Sequence, residues 1–283
     1  MFLTERPQKI WMTLWMSLLK VGLTLWVLVS LVGCGGMGPM KNVTDENPSA
    51  QGAPTPVPVP AGQAFALGAV GDLSANLSTV RDIQVGVTAS ADFSGEVEIL
   101  VERDELDLVD NSNGVAISVT PSRVNLQKGQ TQYVNLRVET RSQAPDFNDH
   151  FHLVAREAGV ANPRLSTSVV AYKINPIIEV DLHGGAAPEV YAPMFSSLLV
   201  KPHVGGVTVR FINRDSDQTH IIHGQGAIPH QNTGTPLARA NGNTPGGVYE
   251  VKVTSTTANL VGQFYCHSHE SGAQARSLTF NAQ

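Results

Sequence analysis

Near its end the chain reads Gly262-Gln263-Phe264-Tyr265-Cys266-His267-Ser268-His269-Glu270-Ser271-Gly272-Ala273-Gln274. Up to Cys266 this is the end of a strand-like run that begins at Leu260. Beyond it, His269 follows Cys266 at the third position and the amide of Gln274 comes five residues later. A thiolate, nearby imidazoles and a weak oxygen donor form the ligand set of a compact soft-metal site, for which copper is the expected ion. One short stretch cannot complete it, because a second imidazole has to arrive from elsewhere.

The chain has two cysteines, Cys34 and Cys266. Residues 1–33 have the build of an export signal: Arg6 and Lys9 in a positive segment, then an apolar run broken at Lys20 and resumed over residues 21–33. Leu31-Val32-Gly33-Cys34 resembles the lipobox of bacterial lipoproteins. That resemblance implies cleavage before Cys34, which then carries the lipid, and Gly35 in place of Asp points to outer-membrane sorting in a cell with two membranes. The alternative is a plain membrane anchor over residues 10–33, against which the mid-span charge of Lys20 argues. Either reading puts the folded part outside the cytoplasm, in the periplasm or at the cell surface. With Cys34 lipidated, Cys266 has no disulfide partner in an oxidising compartment. It is then a reactive thiol, a ligand, or an ordinary buried thiol.

Composition narrows the class. Hydrophobic residues make up 42% and charged residues only 15%, with 26 Gly and 17 Pro, which suits an exported, strand-rich protein. The formal net charge of -5 gives no basic footprint for nucleic acid. No phosphate-cradling Gly loop or metalloprotease helix occurs.

After the signal, residues 34–75 read as the lipidated cysteine and a tether. Ala53-Pro54-Thr55-Pro56-Val57-Pro58-Val59-Pro60 is its extended polyproline-II portion. Residues 76–176 carry strand signals at 83–87, 95–101, 115–119, 133–138, 151–155 and 166–172, separated by turns such as Asn113-Gly114 and Lys128-Gly129. Short strands at this spacing predict an antiparallel sandwich. Val119-Thr120-Pro121-Ser122-Arg123-Val124-Asn125-Leu126-Gln127-Lys128-Gly129-Gln130 loosely resembles bacterial immunoglobulin-like surface modules. His150 and His152, with Asp146 and Asp149 nearby, read as a solvated sheet edge rather than a metal site.

Residues 177–283 form a second strand-rich unit, with signals at 177–182, 197–202, 207–213, 247–253, 260–266 and 276–280. The segments 197–202 and 207–213 are expected to pair around the turn at 203–206. Between 213 and 224 the chain leaves a strand, loops through Asn213-Arg214-Asp215-Ser216-Asp217-Gln218-Thr219, and re-enters an apolar run at His220-Ile221-Ile222-His223. A histidine where a loop enters a strand is held by the sheet behind it. His223 rivals His220 for the missing imidazole, but strand alternation turns the two to opposite faces. His267 and His230 read as rim or exposed residues, and His183 and His203 as inert turn histidines.

The C-terminal unit is similar to the cupredoxins, the fold of plastocyanin, on Tyr265-Cys266, His269, Gln274 and the loop before His220. The resemblance implies a type 1 copper site with His220, Cys266 and His269 as ligands and Gln274 in the axial place usually held by methionine. The fold expectation is therefore all-β, two β-sandwich domains, immunoglobulin-like and then a cupredoxin-like Greek key. The implied function is a membrane-anchored one-electron carrier, not an enzyme, working with an unidentified redox protein. A copper-binding or copper-delivering surface lipoprotein is the second expectation, with His223, His230 and His267 as additional metal ligands. A metal-free structural module is the third.

Overall fold

Alternating burial carries the architecture. The computed structural model describes residues 41–42, 56–102, 114–146, 148–183, 190–192, 195–254, 258–267 and 275–281, none of them helical. Its strands are β1 (Lys41–Asn42), β2 (Phe65–Leu67), β3 (Leu73–Leu77), β4 (Thr79–Ala89), β5 (Gly95–Glu102), β6 (Val115–Thr120), β7 (Arg123–Leu126), β8 (Thr131–Thr140) and β9 (Asn148–Glu157). They continue with β10 (Leu165–His183), β11 (Val190–Ala192), β12 (Ser197–Val200), β13 (Val207–Asn213), β14 (Ile222–Gly226), β15 (Val248–Val253), β16 (Leu260–Cys266) and β17 (Arg276–Phe280).

Three sheets result. One runs β1-β4-β8-β6 with β2 on β4; the largest runs β15-β13-β10-β9-β5-β7 with β3 and β11 on β10; the third runs β12-β17-β16-β14. In β8, Val134, Leu136 and Val138 are buried at every second residue, while β5 turns in Val97 and Ile99 and β9 turns in Phe151, Leu153 and Ala155. The period of two aims one face of each sheet at the common core. Across that core the Tyr172 hydroxyl on β10 is hydrogen-bonded to Thr140 Oγ1 on β8, joining two sheets through a buried polar contact. At the C-terminal end Phe264 of β16 meets Phe211 of β13 at 4.8 Å, Tyr191 at 5.7 Å and Phe195 at 6.0 Å, all edge-on. Each such ring pair contributes about 0.5–1.5 kcal/mol beyond area burial. The all-β sandwich architecture is thus as expected.

Two pairings differ from the sequence reading. The signals at 166–172 and 177–182 belong to one strand, β10, which pairs with β9 through its first half and in parallel with β13 through its second. Pro176 interrupts the sequence signal, but it lies where the register of β10 against β3 shifts, between Asn175 and Ile178. At such an irregularity the missing N–H costs the ladder little. The hairpin expected from 197–202 and 207–213 is instead a crossing between sheets. β12 pairs in parallel with β17, whereas β13 lies between β10 and β15. His203 at that crossing is fully buried and bonded to Asp146, so it is not an inert turn residue. The tether read over residues 34–75 ends earlier than expected, since β2 and β3 already lie in sheets.

Candidate metal-binding site

The loop before His220 is nailed down by one asparagine. Asn213, the last residue of β13 and fully buried, donates from Nδ2 to the carbonyls of Gln218 and Ala238, each at 2.9 Å. Its Oδ1 accepts from the Asp215 N–H at 2.8 Å. Asp215 in turn accepts from the Asp217 N–H at 2.7 Å. The loop closes on His220, whose backbone forms an antiparallel bridge with Leu237. The imidazole of His220 is therefore delivered inward from a fixed backbone, fully buried.

There it meets Cys266, also fully buried, at the last position of β16. Sγ lies 3.5 Å from His220 Nδ1. On the other side of the ring, His220 Nε2 stands 3.3 Å from Asp215 Oδ2. Burial pushes the Asp215 carboxyl up, but the Asp217 N–H and the His220 ring outweigh it and hold it below the ordinary aspartate value. An ionised carboxylate on Nε2 fixes the ring orientation and leaves Nδ1 directed at the sulfur, the outer support that metal-ligating imidazoles use. The Cys266 backbone N–H donates to the Tyr191 hydroxyl at 2.8 Å, which pins the sulfur-bearing residue. The donor chemistry and convergence of Sγ and Nδ1 fit a soft or borderline metal ion.

Of the residues expected in this site, His220 and Cys266 are brought together. His269, Gln274 and the lipidation residue Cys34 lie outside the described residues. His223 points away from the thiol. It sits on β14 opposite Tyr265, with its ring stacked on that tyrosine at 4.5 Å, and gathers with His230 and His267. Asp215 and Tyr191 join the site beyond the residues expected from the sequence. Asp215 stood in the quoted loop two residues after Asn213, a spacing that suits side chain-to-backbone capping; Tyr191 carried no sequence signal.

No family model matches the sequence, and no curated protein matches it. The chain is similar to several solved structures. One is the E. coli chaperone DraB, at 11% identity and TM-score 0.30, over 78% of this chain and 98% of that one. Another is the Salmonella enterica SafA pilin in complex with the SafB chaperone, at 9% identity and TM-score 0.29, over 77% and 96%. A third is a PapD-like domain of human CEP192, at 7% identity and TM-score 0.30, over 45% and 96%.

None of these three is a cupredoxin, and the cupredoxin assignment of residues 177–283 is corrected, because β10 carries those residues and the preceding ones in one continuous sheet. The one-electron copper carrier is corrected with it, as are the copper-delivery and metal-free cupredoxin readings. The physical reason lies in what each signal constrains. The spacing from Cys266 to His269 and Gln274 constrains one loop, whereas strand pairing along the whole chain sets the fold. That pairing runs β10 through both halves in a single eight-stranded sheet, and the boundary read at 176/177 falls inside this strand.

Proposed function

We propose that the chain is a non-enzymatic β-sandwich protein that binds one soft or borderline transition-metal ion in its interior, outside the cytoplasm. The observation that carries this reading is the 3.5 Å approach of Cys266 Sγ to His220 Nδ1 in a fully buried setting, with Asp215 behind the ring. A thiolate and an imidazole suit copper and zinc alike. His269 is the proposed third donor and Gln274 the weak oxygen donor, from their spacing to Cys266. The role is binding, because nothing in the reading requires an open coordination position or a proton-transfer group. The extracytoplasmic setting and the lipid anchor rest on residues 1–34.

Co(II) is the convenient probe, since its bond to a thiolate gives an intense near-ultraviolet charge-transfer absorption. The full chain is expected to show that absorption at one equivalent, to lose it in Cys266→Ser, and to bind more weakly in His220→Gln. Saturation with Co(II) and then with Cu(II) without any thiolate absorption would overturn the reading.

A further inference from the structure

On the outer face of β14 and β16 three imidazoles converge. His223 lies on β14, and His267 follows directly on β16, where its backbone N–H donates to the Ile221 carbonyl at 2.8 Å. The two rings stack with 9° between their planes, and their Nδ1 atoms are 3.3 Å apart. His230 arrives on the returning chain. Its neighbour Gln231 is bound to Ile222 twice, backbone N–H to carbonyl at 3.0 Å and side-chain Oε1 to the Ile222 N–H at 2.9 Å. This places the His230 ring 4.4 Å from that of His223 and 5.7 Å from that of His267. One ligand nitrogen from each of the three lies within 4.8 Å of the others.

We propose that His223, His230 and His267 form a surface site for a divalent borderline metal ion of the Zn(II) class, separate from Cys266 and with one coordination position left to solvent. Two features favour a ligand site over three solvated histidines. Nitrogens about 2.0–2.1 Å from a tetrahedral zinc stand roughly 3.3–3.4 Å apart, the separation the His223 and His267 Nδ1 atoms already have. His230 Nδ1 is bonded to the Gln231 carbonyl, which requires the proton on Nδ1 and leaves Nε2 as a lone pair for a metal. A direct Nδ1 to Nδ1 hydrogen bond between His223 and His267 is the competing account, and it leaves His230 without a reason to be there.

The test uses the full-length chain carrying Cys266→Ser, which removes the thiolate from competition. Zn(II) titration against a chromogenic chelator is expected to give one ion per chain. His230→Gln and His267→Gln, both at exposed positions, are each expected to weaken binding by more than the roughly 10- to 100-fold that loss of a supporting group costs. X-ray absorption at the zinc edge is expected to count three imidazoles. No Zn(II) uptake by the Cys266→Ser chain, unchanged affinity in both histidine variants, or two or fewer imidazoles on the ion would each overturn the site. Loss of the thiolate absorption in the Co(II) experiment leaves these readouts unaffected, so the two sites fail separately.

Discussion

His203 Nδ1 donates to Asp146 Oδ1 at 2.6 Å, and the second carboxylate oxygen accepts the Val204 N–H at 2.8 Å. A half-exposed aspartate from the connection between β8 and β9 thus clamps a fully buried histidine at the crossing from β12 to β13. Among the described residues, His203 Nε2 has no hydrogen-bond partner, so Asp146 carries the polar satisfaction of that ring. Asp146→Ala is expected to destabilise the fold by about 1–3 kcal/mol, the penalty for a buried polar group losing its partner. Asp146→Asn keeps an acceptor and should lose less. Denaturant midpoints that coincide for all three chains would refute the clamp.

Tyr172 sets the alkaline limit. Burial pushes its hydroxyl up to about 12, against the smaller lowering by Thr140 and Arg81. A raised folded-state pKa gives stability that is intact below the unfolded value of about 10 and is lost as pH rises through the folded value. Unfolding free energy should therefore fall by up to about 3 kcal/mol between pH 10 and 12. Tyr172→Phe is expected to start lower, having lost the Thr140 bond, but to decline less over that window. Equal slopes in the two chains would show that another group governs the alkaline loss.

In the proposed Cys266–His220 site, Asp215 would act on a bound ion only through His220, whose Nε2 it faces at 3.3 Å. Replacing it by Asn preserves the size and an oxygen for the Asp217 N–H, but removes the charge behind the ring. Asp215→Asn is expected to weaken Co(II) binding at Cys266 by about 10- to 100-fold while the thiolate absorption at saturation survives. An unchanged affinity would mean that the carboxylate serves only the loop.

Strand existence was legible wherever the period of two ran unbroken, as in β5, β8 and β13. Pairing was not, because alternation says which face is buried and not which neighbour supplies the hydrogen bonds. Pro176 therefore hid the continuity of β10, and a plausible turn at 203–206 concealed a crossing between sheets. The Cys266–His220 meeting could be read from a loop entering a strand near a lone thiol. The family does not follow from that short spacing, since the same few residues leave the sheet topology open. His223, His230 and His267 could be grouped from the sequence as additional metal ligands, but not placed together, because what unites them is long-range: the β14–β16 register and the Gln231 bonds to Ile222.

Gly224 is the backbone condition for that gathering. A Cβ at this position would lie inside contact range of the Ile228 and Pro229 carbonyl oxygens, so only glycine lets the chain at 228–229 close over β14. With that closure lost, the residue after Pro229 cannot keep its ring beside His223. Gly224→Ala is expected to destabilise the protein by about 1–3 kcal/mol, the usual range for overpacking. It should also reduce Zn(II) affinity in the Cys266→Ser background to the level of His230→Gln. Gly71→Ala is the control, because a Cβ there meets nothing within 4 Å. Combining Gly224→Ala with His230→Gln should weaken binding no further than either alone, since both remove the same ligand. Additive losses in that double variant would mean that Gly224 acts on His223 or His267 rather than on the placement of His230.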